Sequence, residues 1–200
     1  MRVKAVTVAV ALASLCFAED YKLGSKVQEI ELKDLSGGRV AFHDLEGQVT
    51  VVTFISTQCP ISNSYNDRMS ALYRDYSAKG VRFIFANANR TEQAKDVAEH
   101  AKSVKFPFPV YKDENNQLAN RLNAQVTPES FVLDRNAVLV YRGQVDDSKN
   151  EARVKEKSLR NALDAVLDGK PVAVAETKAF GCTIKRVRRS SRCYSPLCSF

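Results

Sequence analysis

The 200-residue sequence has no tryptophan, two histidines, two methionines and few residues that break regular structure, with eight glycines and six prolines. His43 and His100 stand far apart, and neither has a ligand-spaced cysteine or aspartate beside it, so both read as surface residues and no metal site is implied. A copper site on Cys59 and Cys182 would rest on two thiolates alone. The chain also lacks a glycine-rich phosphate cradle, a Gly-x-Ser-x-Gly elbow and paired-carboxylate spacing, and it implies no cofactor. No repeat or interior low-complexity segment is present. Beyond residue 18 no apolar run approaches the ~20 residues that a membrane-spanning helix needs.

What is present begins with Arg2 and Lys4, followed by an almost wholly apolar run from Ala5 to Ala18 and then Glu19-Asp20. This is the layout of a secretory signal peptide cut between Ala18 and Glu19, and it is short for a spanning anchor. Bulky Leu15 argues against lipidation of Cys16. The expected product is an exported, soluble protein, periplasmic or extracellular, of a length that suits one domain.

The formal charge of +7 is unevenly placed. Two charges lie in the presequence and five on Lys185, Arg186, Arg188, Arg189 and Arg192, which leaves residues 19–182 neutral. No acid follows Glu176. The basic character is thus a property of the tail, read as a solvated segment with a weak anionic surface as its one plausible contact. The basic run Lys185–Arg189 carries no Phe or Trp interleaved for base stacking, so no nucleic-acid partner is expected. The expected organisation is a signal peptide at 1–18, a domain at 19–175 and a basic, cysteine-containing tail at 176–200. Oligomeric state is not legible.

Hydrophobic patterning gives the order β, β–α–β–α–β–β–α. Residues 19–45 read as a strand or hairpin about Ser36-Gly37-Gly38. The β-branched run Val49–Ile55 reads as a strand buried on both faces. Tyr65, Met69, Leu72, Tyr73 and Tyr76 predict a helix over 63–79, ended by Gly80. Val81–Ala86 is a second strand, and Asn87 and Asn89 read as turn residues behind it. Thr91 is the expected cap of a helix over 92–103. A short extended piece spans 106–111, and a short helix covers 116–122. Ser130–Asp134 and Val138–Arg142 read as an antiparallel hairpin. The last helix is expected over 151–167, with Asp146-Asp147 as a solvated turn capping it. Nothing after Pro171 is periodic.

Cys59 falls between the end of the central strand and a helix start at Pro60, where proline costs no hydrogen bond. Unpaired N–H groups and the helix dipole at that point favour a thiolate, the form that redox and nucleophilic chemistry need. An inert core cysteine is the alternative.

Strand, Cys59-Pro60-Ile61-Ser62, helix and the distant Val126-Thr127-Pro128 with Phe131-Val132-Leu133-Asp134 together resemble the thioredoxin superfamily. Thr127-Pro128-Glu129, the tract Tyr141–Asp147 and Gly181-Cys182-Thr183-Ile184-Lys185 resemble its redoxin or peroxiredoxin-like branch, the alkyl hydroperoxide reductase/thiol-specific antioxidant type. The resemblance implies a thioredoxin-like three-layer α/β fold, a mixed central sheet with helices on both faces. It implies Cys59 as the attacking cysteine and Pro128 as the cis-proline, whose preceding backbone can pair with a bound peptide. The second cysteine of a Cys-x-x-Cys site is replaced by Ser62, which can hydrogen-bond a thiolate but cannot form a disulfide. Cys182 is then an internal candidate to resolve a mixed disulfide at Cys59. Pairing of Cys182, Cys193 and Cys198 among themselves or with another chain stays open, as does an external thiol reductant.

Thiol–disulfide exchange on protein partners is the expected activity, with peroxide reduction and a non-catalytic binding module as alternatives. For peroxide, Ser56 has the spacing of the guiding hydroxyl. The usual proline is Val52, however, and the usual arginine would have to come from Arg142 or Arg121.

Overall fold

The structure is a computed structural model that describes residues 21–28 and 30–187. The expected signal peptide with Cys16, the end of the basic tail from residue 188, and Cys193 and Cys198 lie outside the described residues.

The strands are β1 (Glu31–Lys33), β2 (Arg39–Ala41), β3 (Val49–Phe54), β4 (Val81–Asn87), β5 (Val110–Lys112), β6 (Val126–Thr127), β7 (Glu129–Leu133), β8 (Leu139–Gly143) and β9 (Cys182–Thr183). The helices are α1 (Pro60–Asn63), α2 (Asn66–Ser77), α3 (Ala94–Ser103), α4 (Gln117–Arg121) and α5 (Ser158–Leu167). Seven strands form one sheet in the order β2-β1-β5-β4-β3-β7-β8. β3, β4 and β5 run parallel, while β7–β8 and the β1–β2 hairpin close the two sides antiparallel. This is the thioredoxin-like three-layer fold expected of the sequence.

β3 lies between β4 and β7, and all six of its residues are buried. Its valines therefore serve two cores. On one face Val49 and Val51 meet Tyr65, Met69 and Leu72 near and on α2, Val97 of α3 and Leu159 and Leu163 of α5. On the other, Val52 and Phe54 meet Leu118 and Ala119 of α4, Phe42 and the N-terminal segment. Each fully buried Val or Phe contributes about 1.5–3 kcal/mol, so the continuous apolar run holds both outer layers to one strand.

Four local readings change. The helix predicted over 63–79 is two helices, because Ser64 and Tyr65 form a tight turn with Tyr65 N–H donating to Ser62 O at 3.0 Å. That turn swings the Tyr65 hydroxyl inward to Asp146 Oδ1 at 2.9 Å. The helix expected from Thr91 begins at Ala94, after Gln93, and leaves Glu92 outside it. The last helix begins at Ser158, since its apolar stripe starts only at Leu159; residues 151–153 form a separate 3-10 turn capped by the Asn150 side chain. Asp146 is buried rather than solvated. Arg68 reaches it at 2.7 Å and donates also to Ser148 O and Lys149 O, which ties α2 to the loop after β8.

Residues 175–187 are aperiodic yet pair with the domain. Thr177 N–H donates to Arg142 O, and β9 pairs antiparallel with β6 in the register Val126–Thr183 and Thr127–Cys182. Ile184 is buried in the second core. Thus 176–187, read from sequence as the start of a tail, packs on the domain. Its contacts are backbone pairings made far along the chain, which no local periodicity reveals.

Candidate active site

Cys59 occupies the N-cap of α1, directly beyond the loop that follows β3. Its sulfur accepts a hydrogen bond from Ser62 N–H at 3.3 Å and lies 3.4 Å from Thr127 O. The Thr127–Pro128 peptide bond is cis, so the carbonyl beside the sulfur is the one expected there. Ser62 also offers its Oγ to Ser56 N–H at 3.1 Å, which closes the loop on the helix start.

Cys182 arrives from β9. The ladder sets it opposite Thr127, whose carbonyl oxygen lies 3.4 Å from the Cys59 sulfur, so one residue joins the two cysteines. Gly181 permits this approach: a Cβ there would stand 2.0 Å from Thr127 O. Burial pushes the Cys59 thiol up, but the Cys182 side chain, the Ser62 N–H and the Cys182 N–H outweigh it, and the net direction is down. The Cys182 thiol moves up, chiefly because it donates to Cys59 and also through burial. The two shifts run in opposite directions, so Cys59 is the more acidic thiol of a polarised pair. Cys59 is 1% exposed while Cys182 is half-buried, so Cys182 is the more accessible of the two.

A buried carboxylate that the sequence reading missed organises the approach. Glu92 accepts from Ser56 Oγ at 2.5 Å, from Thr57 N–H and Oγ1, and from the side chains of Asn87 and Asn89. Burial raises its pKa, and these donors more than reverse that, leaving the carboxyl below its ordinary range. Lys112 lies under the same loop, donating to Asn87 Oδ1, Asn89 O and Glu92 O. Burial pushes its pKa down, against the nearby carboxylates. Asn87 and Asn89 are thus members of this network rather than plain turn residues. The available signal was the run of polar residues directly beyond a strand end, without a helix stripe to explain Glu92.

Ser56 has one hydroxyl hydrogen, and it points to Glu92; its oxygen accepts from Cys59 N–H at 3.1 Å. The two arginines considered for peroxide chemistry are engaged elsewhere, Arg142 with Glu176 at 3.0 Å and Arg121 on the Tyr21 ring and hydroxyl. The structure therefore brings Cys59, Cys182, Ser56, Ser62 and Pro128 to one place, and puts Arg142 and Arg121 in other contacts.

The geometry has counterparts in known proteins. Residues 23–142 match the AhpC/TSA family. The thiol-disulfide oxidoreductase ResA of Bacillus cereus is 28% identical over 124 residues, which covers 62% of this chain and 70% of that protein. An uncharacterised conserved protein from Geobacillus kaustophilus superposes with a TM-score of 0.78 at 32% identity, over 85% of this chain and 95% of that one. The thioredoxin domain of a thiol-disulfide oxidoreductase from Bacteroides vulgatus shares the fold, with a TM-score of 0.54 at 17% identity over 62% of this chain and 89% of its own. A family match over more than half of the chain, together with the polarised Cys59–Cys182 pair, makes this chain a thiol-redox member of the AhpC/TSA family.

Proposed function

We propose that the protein carries out thiol–disulfide exchange on protein thiols or disulfides, with Cys59 attacking and Cys182 resolving. The observation that carries this reading is the meeting of both cysteines at Thr127, which lies opposite Cys182 in the ladder and 3.4 Å by its carbonyl from the Cys59 sulfur. In the reducing direction, the Cys59 thiolate attacks a client disulfide, one client thiolate leaves, and a mixed disulfide remains. The Cys182 thiolate then attacks the Cys59 sulfur and expels the second client thiolate. Client disulfide and enzyme dithiol become client dithiol and a Cys59–Cys182 disulfide, a balanced two-electron step. An external thiol reductant restores the pair.

Ser62 and the backbone before Pro128 serve as positioning groups for the sulfur. Ser56 fixes the loop through Glu92. Because its hydrogen is committed there, it favours exchange over peroxide guidance. The apolar stretch from Ala5 to Ala18 and the likeness to thiol-disulfide oxidoreductases support an exported location, periplasmic or extracellular, where disulfides persist.

The test is mixed-disulfide trapping. Cys182→Ser should accumulate a covalent adduct at Cys59 with a protein disulfide client, whereas the wild type should resolve it to a Cys59–Cys182 bond seen by non-reducing peptide mapping. An adduct that never forms on Cys59 overturns the reading.

A further inference from the structure

Cys59 is 1% exposed, and the strand edge beside it is already taken by a segment of the same chain. β9 pairs with the edge of β6, which carries the carbonyl before the cis-proline, and Cys182 lies opposite Thr127. An extended client presenting a cysteine sulfur to Cys59 needs that same edge. A strand edge offers one row of donors and acceptors, so client and β9 exclude each other.

That segment is fastened at both ends and lightly held between. Toward its start, Glu176 pairs with Arg142, and Thr177 exchanges hydrogen bonds with Tyr141, Arg142 and Gln144. Toward its end, Ile184 is buried and its N–H donates to Gln125 O. Lys185, Arg186 and Val187 then bond to Asn89, Asn120 and Asn116. Residues 178–183 have the two-residue ladder to β6 and the Phe180 ring packed edge-on to Tyr65 at 6.3 Å, and all are half-buried or exposed. A single apolar anchor, Phe180, and a short ladder mark a segment of lower local stability between firmer ones.

Resting on the exchange reading above, we infer that residues 178–183 are a built-in stand-in for the client, a strap that bows off β6 to admit an extended cysteine-bearing peptide and returns to deliver Cys182 for resolution. The order of steps follows from this geometry. While the client's backbone lies on β6, Cys182 is held away, and the mixed disulfide is protected from premature resolution. When the client's strand leaves, β9 re-forms and the two sulfurs meet.

The experiment uses the full chain with Cys182→Ser, and the same chain carrying Gly181→Val as well. The added side chain would collide with Thr127 O and push β9 off its ladder. The probes are an extended peptide bearing a thionitrobenzoate mixed disulfide, which reports attack by colour, and iodoacetamide, which needs no strand edge. Displacing the strap should speed attack on the peptide about tenfold, as expected when an open state near a tenth populated becomes dominant. The gain with iodoacetamide should be smaller. Equal gains with both probes, or none, would overturn the strap.

A second measurement avoids dependence on the valine variant. With the peptide trapped on Cys59 of Cys182→Ser, amide hydrogen exchange over 178–184 should quicken; unchanged protection there refutes the strap. Failure of the exchange reading itself looks different, since Cys182→Ser would then show no attack on the peptide in either background.

Discussion

Two sulfurs of unlike acidity define the chemistry at the scale of single residues. Cys59 is driven toward thiolate against its own burial, chiefly by the hydrogen bond from Cys182. Removing that donor should raise the midpoint of Cys59 reactivity, so Cys182→Ala should shift the pH profile of iodoacetamide labelling upward relative to wild type. A midpoint that falls or stays fixed would show that the helix start alone sets the acidity. Cys59 was legible because a strand end, a cysteine and a proline are local signals. Its principal donor was not, since the sulfur of Cys182 comes from far along the chain. Glu92 escaped notice for the same reason: its four partner residues come from two stretches of chain, Ser56 and Thr57 after β3, and Asn87 and Asn89 at and beyond the end of β4.

Between elements, Glu92 acts as the tie between the loop after β3 and the loop after β4. Its folded pKa lies below the ordinary glutamate value, so the stability it contributes is complete above that value of about 4.3 and drains as pH falls toward the lower folded one. Glu92→Gln would leave Asn or hydroxyl donors facing an amide, at a cost of about 1–3 kcal/mol near neutrality. Urea unfolding from pH 7 to 3 should show the variant's deficit shrinking as the medium becomes acid; a constant deficit would mean that Glu92 is not ionised in the fold. The strands and their types were readable because β3, β4, β7 and β8 carry continuous apolar or β-branched runs. Helix starts were less so. The true beginnings at Ala94 and Ser158 depend on where Glu92 and the Arg68–Asp146 pair hold the chain, and those are tertiary contacts.

For the molecule as a whole, the state of the cysteine pair should set how firmly the C-terminal segment holds the domain. A Cys59–Cys182 bond closes a loop of 124 residues, which by chain entropy is worth about 5 kcal/mol against the unfolded state. The oxidised protein should therefore unfold at higher urea than the reduced one, with the mapped disulfide intact throughout; the opposite order would mark a bond that opposes the fold. Sequence by itself determined the three-layer architecture, the buried central strand and the cysteine at its end, because hydrophobic periodicity and helix-start chemistry act over a few residues. Only the tertiary structure decided that an aperiodic segment returns as β9, that Glu92 gathers two stretches of chain, and that Cys182 comes to lie opposite Thr127. Those arrangements rest on backbone edges and lone polar groups meeting across long stretches of chain, and such meetings have no period to read.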